Sequence, residues 1–309
     1  MNIIFMGTPD FSVSALTALI EAGHHIQAVV TQPDKKKGRG EKLVYSPVKQ
    51  AAIDAGITVY QPEKARDEAF IDILRGYSPD VIIVIAFGQI LPKEILELAP
   101  FGCINVHASL LPKYRGAAPI QWAVIDGEEK TGVTTMQMDE GIDTGDILQV
   151  TEVVIDQKET GGSLFEKLAV EGAKLIVKTL EDLQEGKITP VRQDHSKSNY
   201  AKILKKELGN IDFNKDAVEI ERLIRGLNPW PSAYTKLKGK TLKIWNADVS
   251  DEEYDGKTGE IVAVDKKDFT IKTGKGCLVV KELQLEGKKR MPAEQFLLGY
   301  QLEKGVVLG

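Results

Sequence analysis

The chain has 309 residues, of which 42% are hydrophobic and 28% are charged, a composition typical of folded globular proteins and not of disordered or fibrous ones. Its 40 basic and 45 acidic residues give a net charge of −5, so no overall positive field indicates a nucleic-acid partner, and any polyanion must be bound by local patches. The longest apolar run, at 81–87, is much shorter than the roughly 18 to 20 residues that a membrane-spanning helix needs. We therefore expect a cytoplasmic protein of one or two domains that enters no membrane.

The first half of the chain alternates strand-like and helix-like segments. Residues 2–6 form an apolar run, after which Thr8 and Pro9 predict the cap and the first position of a helix. A second apolar run covers 26–31, and residues 81–86 are apolar at every position, which is typical of a strand covered on both faces. This alternation predicts an α/β fold with a Rossmann-like, doubly wound parallel sheet. Further strands are predicted at 102–106 and 132–138, and further helices at 118–126 and 164–184.

The pattern changes after Pro190. Residues 191–202 have no apolar period, and we interpret them as a linker or an extended strap. Beyond them, a short helix at 217–225 precedes short β-rich runs punctuated by glycines, a pattern typical of a small barrel. The predicted organisation is a first domain at 1–189, a linker at 190–206 and an OB-like β-barrel domain at 207–309.

Common cofactor and metal motifs are missing from the sequence. The segment GTPDFS at 7–12 has one glycine where the dinucleotide-binding fingerprint needs three, and no Walker-type phosphate loop occurs. Cys103 and Cys277 lie far apart and match no metal-ligand or redox spacing. NAD binding, nucleotide hydrolysis, a zinc ribbon and a thioredoxin-like site are therefore disfavoured, and we expect both cysteines to be structural thiols.

Polar side chains follow two of the predicted strands. Asn105 and His107 stand two residues apart where a strand gives way to a loop, so they share one face of that strand. A second polar group at 139–146 contains Asp143 and follows another strand. Because ligands of open α/β sheets bind beyond the carboxyl ends of the strands, we expect both groups at one edge of the sheet.

An amide, an imidazole and a carboxylate suit acyl transfer to an amine. The developing oxyanion needs hydrogen-bond donors, and the ammonium proton needs an acceptor. Taken alone, however, the same residues fit a bland interpretation equally well, with Asn105 capping a turn, His107 as a satisfied, partly buried histidine and Asp143 in a glycine-flanked turn.

Several long motifs, in order along essentially the whole chain, resemble the methionyl-tRNA formyltransferase family. They are FMGTPDFS at 5–12, Asn105 and His107 leading into SLLPKYRGAAPIQWA at 109–123, GIDTGD at 141–146, and LNPWPSAYT at 227–235. The resemblance implies the formyltransferase fold, with catalysis in the first domain and tRNA binding by the C-terminal domain. It also implies transfer of a formyl group from 10-formyltetrahydrofolate to the α-amino group of methionyl initiator tRNA, without a metal.

The resemblance also implies roles for individual residues. Asn105 and a protonated His107 are expected to donate hydrogen bonds to the oxyanion, while Asp143 orients His107 or a water and helps to move the amine proton to N10 of the folate. A segment running from Ser109 to Pro112 is expected to lie against the folate. From the residue types we also expect an apolar slot that holds the pterin ring and backbone groups that bind its polar edge. Ordinary core packing is the alternative for Phe87 and Ile90. The predicted folate-binding residues are Ser109, Leu110, Leu111, Pro112, Phe87, Gly88, Ile90, Asp139 and Gly141.

The segment PDKKKGRGEKLVYSP at 33–47 is longer than strand-to-helix loops usually are. The resemblance implies that it approaches the acceptor stem of the tRNA and that Arg39 is its critical arginine. Its basic residues predict a local phosphate-binding arm, and a solvated loop is the alternative on charge alone. The predicted tRNA-binding residues are Lys35, Lys36, Lys37, Arg39 and Lys42.

Two rival functions use parts of the same evidence. A nucleotide-sugar or other small-amine formyltransferase would use Asn105, His107 and Asp143, but a small acceptor needs no arm like 33–47. A catalytically silent folate- or RNA-binding module would not need the three polar residues intact. No coiled-coil heptad or long apolar stripe is visible in the sequence, so we expect a monomer.

Overall fold

The computed structural model describes residues 1–37 and 42–309, which form two compact units. The units do not follow chain order, because two segments from the first half of the chain belong to the second unit. Unit 1 contains Met1–Gly116, Thr131–Val154 and Phe165–Tyr200, and unit 2 contains Ala117–Lys130, Ile155–Leu164 and Ala201–Gly309.

The helices and strands up to residue 184 include every segment predicted from the sequence, together with further elements that were not predicted. In chain order they are β1 (Asn2–Gly7), α1 (Asp10–Glu21), β2 (His25–Val30), β3 (Lys35–Lys37), β4 (Lys42–Val44), α2 (Pro47–Asp54), β5 (Val59–Tyr60), α3 (Glu68–Arg75), β6 (Val81–Ile85), α4 (Lys93–Leu96), β7 (Cys103–His107), β8 (Arg115–Gly116), α5 (Pro119–Ile125), β9 (Lys130–Gln137), β10 (Ile147–Val154) and α6 (Gly161–Gln184).

Seven strands of the described chain form the central sheet of unit 1, in the order β10-β9-β7-β6-β1-β2-β5. The five strands from β5 to β7 in this order are all parallel to their neighbours. The chain builds the sheet outward from β1 in one direction and from β6 in the other. The junction of β1 and β6 is therefore the topological switch point, beyond whose carboxyl ends ligands of this fold class bind.

Strand β9 runs antiparallel to β7, whereas the strand pattern predicted a parallel series. An apolar run shows that a strand is buried but not which way it runs, since direction depends on the path of the connecting chain. In this register Gln137 lies opposite Ile104, and Thr134 lies opposite His107. The loop after β9 thus starts beside the beginning of β7 and reaches Asn105 with Asp143.

Both faces of the parallel sheet are covered, which explains why its inner strands are apolar without alternation. All residues of β6 are buried, as are those of β1 from Ile3 onward. One face packs in a cluster with side chains of α3 and α4, including Phe70, Leu74 and Ile95. Helix α1 contributes Phe11 and Leu16 to the buried part of the unit.

Thr8 does not cap helix α1, contrary to the sequence prediction. Pro9 occupies the cap position, and no side chain in the described part of the chain makes a capping hydrogen bond there. Thr8 Oγ1 instead donates to the carbonyl of Phe87 at 3.1 Å. Because β1 and β6 are neighbours, this bond joins their carboxyl ends, a tertiary contact that a local capping pattern does not encode.

Unit 2 is built on an antiparallel sheet of six described strands, with a core that includes Ile220, Ile224, Phe269 and Leu278. This sheet agrees with the predicted β-rich C-terminal region, while its closure into an OB-like barrel stays a prediction. Among the described helices of the whole chain, none combines the length and apolarity needed to span a bilayer. The remaining α-helices and strands of the described chain are β11 (Tyr200–Ala201), α7 (Ala217–Gly226), β12 (Ala233–Leu237), β13 (Lys240–Ser250), β14 (Ile261–Val264), β15 (Phe269–Lys272), β16 (Cys277–Leu285), β17 (Met291–Pro292) and α8 (Ala293–Gly299).

Candidate active site

The three polar residues predicted for catalysis lie together in unit 1. Asn105 Nδ2 donates to Asp143 Oδ1 at 3.3 Å, and His107 Nδ1 lies 3.6 Å from Asp143 Oδ2. The side chains of His107 and Asp143 are only 7% and 14% exposed. An amide donor, an imidazole and a carboxylate therefore meet in a largely desolvated place, where electrostatic interactions are stronger than in water.

The hydrogen-bond partner of Nε2, the second ring nitrogen of His107, determines that this nitrogen carries a hydrogen. Nε2 lies 2.8 Å from the carbonyl oxygen of Tyr114. A carbonyl only accepts, so Nε2 carries a hydrogen and donates it. The bond to the Tyr114 carbonyl holds the ring in place, so that Nδ1 faces the carboxylate of Asp143 at 3.6 Å.

Asp143 adopts a left-handed backbone conformation, with φ of 52°. Aspartate tolerates this conformation better than most residues, but it persists only where surrounding contacts enforce it. The N–H of Gly116 donates to Asp143 Oδ2 at 2.8 Å. Two residues further on, a Cβ at position 145 would lie 1.7 Å from the carbonyl oxygen of Gln137, so the close return of this loop requires Gly145.

Asp139 and Gly141, both predicted to contact folate, are exposed at the start of this loop. Asp139 Oδ1 accepts hydrogen bonds from the N–H of Gly141 at 3.0 Å and from Thr144 Oγ1 at 2.6 Å. Such side-chain to backbone bonds stabilise tight turns. The described contacts of Asp139 thus shape the loop that presents Asp143.

The segment that follows β7 is held by Thr134, which the sequence analysis missed. Thr134 Oγ1 donates to the carbonyl of Ser109 at 2.7 Å and accepts from the N–H of Leu111 at 3.2 Å. Ser109 Oγ donates to the carbonyl of Lys113 at 2.7 Å. The side chains of Ser109 and Leu111 are buried, whereas Leu110 and Pro112 are half-buried. The feature that could have identified Thr134 is a hydroxyl group within a predicted strand, where it needs a hydrogen-bond partner. In the structure Thr134 is buried and lies opposite His107.

The predicted folate residues after β6 divide into buried and exposed positions. Phe87 is buried in the core cluster of the sheet, the packing alternative considered for it, while Ile90 is 80% exposed. Ala86 and Gly88 have φ of 47° and 84°, so the chain turns sharply at the switch point. The Phe87 carbonyl accepts hydrogen bonds from Thr8 Oγ1 and, at 3.1 Å, from Gln32 Nε2. This edge of the sheet therefore exposes main-chain groups and one aliphatic side chain, that of Ile90.

A separate polar cluster lies at the base of the segment 33–47. Lys49 Nζ donates to Asp34 Oδ2 at 2.6 Å and to Gln61 Oε1 at 2.7 Å, and it lies 4.0 Å from the ring centre of Tyr45. The hydrogen bond from Lys49, with a smaller contribution from Gln61, holds the pKa of Asp34 below its ordinary value of 3.8. We call Asp34, Lys49 and Gln61 the basal clamp. Lys35, the residue after Asp34, is exposed, whereas Arg39 and the side chains of Lys36, Lys37 and Lys42 lie outside the described residues.

Sequence comparison identifies two matching family models and several full-length relatives. Residues 1–180 match the formyl transferase family, and residues 203–301 match the formyl transferase C-terminal domain family. A protein of Lachnospira eligens named methionyl-tRNA formyltransferase is 63% identical, with complete coverage of both chains. Proteins of the same name from Agathobacter rectalis and Clostridioides difficile are 57% and 52% identical, with 99% and 100% of this chain and 98% and 100% of the relatives covered.

Solved structures provide more distant matches. The sugar 3N-formyl transferase WlaRD, solved in the presence of dTDP and 5-N-formyl-THF, aligns with a TM-score of 0.67 at 20% identity, over 94% of this chain and 99% of that one. HypX from Aquifex aeolicus, solved in complex with tetrahydrofolic acid, aligns with a TM-score of 0.65 at 20% identity over 97% of this chain. The chain spans about half the length of HypX, 47% of it. Likeness at these identities establishes a shared fold.

Proposed function

Because this chain belongs to the methionyl-tRNA formyltransferase family, we propose that it transfers the formyl group of 10-formyltetrahydrofolate to the α-amino group of methionyl initiator tRNA. The observation that carries the proposal is the meeting of Asn105, His107 and Asp143 in a largely desolvated site. The three relatives described above, which bear the tRNA-specific name, are 52–63% identical, whereas the sugar-specific WlaRD is 20% identical. These relationships favour tRNA over a sugar nucleotide as the acceptor.

The residues beyond the switch point have the chemistry that a folate ligand needs. Exposed Ile90 and half-buried Leu110 and Pro112 offer apolar surface to a flat pterin ring, while backbone near Gly88 and Gly141 offers hydrogen-bonding groups to its polar edge. The co-substrate supplies the formyl group, which it carries on N10. The protein then has to orient that group, stabilise charge on its oxygen and move one proton.

Asn105 and His107 supply the donors in this mechanism. The Asn105 amide has two N–H groups, and its contact with Asp143 uses one of them, so the other donates to the formyl oxygen as negative charge develops there. His107, held through Nε2 by the Tyr114 carbonyl, presents Nδ1 and its proton toward the site. Removing one such donor typically costs about 10²–10³-fold in rate.

Asp143 manages the proton of the attacking amine. As the new bond from the amine nitrogen to the formyl carbon forms, the amine loses a proton, and N10 of the folate gains one as its bond to that carbon breaks. Asp143, in contact with both Asn105 and His107, accepts and returns this proton directly or through the imidazole. The products are N-formylmethionyl-tRNA and tetrahydrofolate.

For tRNA binding we propose the basic segment 33–47, with Arg39, and the C-terminal domain at 207–309. Two neighbouring turns of unit 2 support the second part, because Glu286 N donates to Thr241 O at 2.8 Å and thereby joins the β12–β13 turn to the turn after β16. Lys243 Nζ lies 5.4 Å and the Arg290 guanidinium 4.6 Å from the ring centre of Trp245. Basic groups beside an aromatic ring suit a phosphate backbone. The basic residues of these turns are Lys236, Lys238, Lys240, Lys243, Lys288, Lys289 and Arg290.

In this proposal residues 1–189 catalyse the transfer, residues 190–206 link the domains, and an OB-like domain at 207–309 binds tRNA. The protein acts as a monomer in the cytoplasm.

The proposed function is tested by formyl transfer from 10-formyltetrahydrofolate to initiator methionyl-tRNA. Elongator methionyl-tRNA, glycinamide ribonucleotide and an amino-sugar nucleotide serve as competing acceptors in separate reactions. We expect rapid formylation of the initiator alone. Transfer only to a small acceptor would keep the catalytic residues and reject the tRNA assignment, and absence of transfer to every acceptor would reject the enzyme.

A further inference from the structure

A buried side chain of the strap at 191–202, Gln193, contacts the main chain of the loop that carries Asp143. Gln193 Nε2 donates to the carbonyl oxygen of Asp143 at 2.9 Å and to that of Gly145 at 2.7 Å. The residue is only 4% exposed. Two carbonyls on either side of Thr144 therefore converge on one amide group, although nearly fifty residues of chain separate them from it.

Arg115 determines which way the Gln193 amide points. Arg115 Nε and Nη2 donate to Gln193 Oε1 at 3.1 and 2.6 Å, and Arg115 is 7% exposed. A guanidinium has donors only, so the amide oxygen must face it, and the amide N–H groups must then face the two carbonyls. Buried hydrogen bonds from a cation are stronger than neutral ones, and they polarise the amide.

The guanidinium is held in turn by other parts of unit 1. Arg115 Nη1 lies 3.2 Å from His195 Nδ1, and the main-chain N–H of Arg115 anchors the backbone of the residue by donating to the carbonyl of Asn199 at 3.1 Å. The next residue along the chain, Gly116, donates its N–H to the Asp143 carboxylate. Residues 115 and 116 thus support Asp143 twice, through its carboxylate directly and through its main chain by way of Gln193.

We propose that Gln193, oriented by Arg115, is a positioning residue that holds Asp143 in the left-handed conformation in which its carboxylate faces His107. Asp143 has φ of 52°, and a conformation of this kind persists where contacts over-determine it. The inference rests on the proposed formyl transfer and adds a residue of the strap to the catalytic machinery. Gln193 acts through the main chain of Asp143.

The test variant is Gln193→Glu, which keeps the size of the side chain and its pairing with Arg115 but turns an acceptor toward the two carbonyls. We expect kcat for formyl transfer to fall about 10²-fold, the typical cost of misplacing a reacting group by an ångström. The KM values for 10-formyltetrahydrofolate and initiator methionyl-tRNA should not change, because Gln193 contributes to neither binding surface. Gln193→Met, of similar length and without a donor, tests the same loss without a new charge.

The matched control is Gln149→Glu, a change of the same chemistry at another partly buried amide of unit 1. Gln149 donates to Asp182 Oδ2 at 2.6 Å and accepts from Thr179 Oγ1 at 2.9 Å. We expect this variant to lower the thermal unfolding midpoint as much as Gln193→Glu does, with kcat unchanged. A loss of kcat that follows stability alone would then appear in both variants.

Four results overturn the inference. The first is a wild-type kcat in a folded Gln193 variant, and the second is an equal loss of kcat in Gln149→Glu. The third is a change confined to one of the two KM values. The fourth is failure of both Gln193 variants to fold, which would show that Gln193 serves stability. The wild-type chain, assayed alongside, distinguishes failure of the proposed function from failure of the inference about Gln193. If it transfers no formyl group, the proposed function fails and the inference with it, whereas a loss specific to Gln193 variants supports both.

Discussion

The loop that carries Asp143 and the segment 33–47 both belong to unit 1, but they are held in different ways. In the first, the Asp143 carboxylate accepts from Gly116 and the carbonyls of Asp143 and Gly145 accept from Gln193, while the close return of the chain at Gly145 leaves no room for a side chain. In the second, β3 and β4 pair only with each other among the described strands, the basal clamp holds the base of the segment, and Leu43 and Tyr45 are 66% and 49% exposed. The difference matches the proposed roles, since chemistry needs groups held to a fraction of an ångström, whereas a large partner needs surface that adapts to it.

The largest effect is expected in the tightly held region. His107→Ala removes the imidazole that faces Asp143 and should lower kcat about 10²–10⁴-fold, the range that general acid–base groups contribute. Single-turnover formylation of initiator methionyl-tRNA measures the step directly. His25→Ala, at an exposed histidine of β2, is the matched control and should react as the wild type does. A wild-type rate for His107→Ala would remove the residue from the mechanism.

The next effect concerns Arg39, near the middle of the segment 33–47 in sequence. We expect Arg39→Ala to raise the KM for tRNA about tenfold, the cost of one charge-assisted contact with phosphate, and to leave the KM for folate unchanged. The dependence of log KM on log salt concentration should also weaken by about one phosphate contact. Lys64→Ala, at an exposed lysine outside the segment, serves as the control. Equal changes for tRNA and folate would contradict a role in tRNA recognition.

A smaller effect is expected at the base of the same segment. Lys49→Met removes the cation of the basal clamp and should raise the KM for tRNA about threefold, since a single partly exposed ion pair contributes little. Arg75→Met, which breaks the exposed pair of Arg75 with Asp72, should change nothing measurable. An unchanged KM in Lys49→Met would show that the clamp does not position the segment.

The basal clamp also predicts a pH dependence of stability. Lys49 lowers the pKa of folded Asp34 below 3.8, so the ionised carboxylate stabilises the fold above that pH, and the contribution is lost as the pH falls through the lowered pKa. In Lys49→Met the loss of stability with falling pH should be smaller, because Asp34 no longer has the lysine that lowers its pKa. Unfolding midpoints measured at several pH values below neutrality test it, and parallel curves for the variant and the wild type would refute it.

The smallest effect is expected at the opposite end of β7 from His107. Burial raises the pKa of the Cys103 thiol to about 12, so almost none of it is thiolate near neutral pH. Burial likewise raises the pKa of Cys277. We expect iodoacetamide to leave activity intact and to modify both cysteines only after denaturation, as measured by mass spectrometry. Rapid labelling of the native protein would show that this end of β7 opens to solvent.

Much of this protein is determined by its sequence alone. The apolar runs at 2–6 and 81–86 predict buried strands, and the glycine-punctuated C-terminal runs predict a β-rich domain. The ordered motifs indicate the formyltransferase family that the full-length relatives confirm. These features are local, because periodicity and turn residues reflect burial and backbone geometry in their immediate surroundings.

Tertiary structure decided the features that depend on contact between distant residues. The antiparallel direction of β9, the bond from Thr8 to Phe87, and the support of Asp143 by Arg115 and Gln193 have no local signature. A glutamine in a polar strap reads as a linker residue in the sequence. It becomes a buried structural element only because the fold brings two carbonyls and a guanidinium to it, and a buried amide must find such partners.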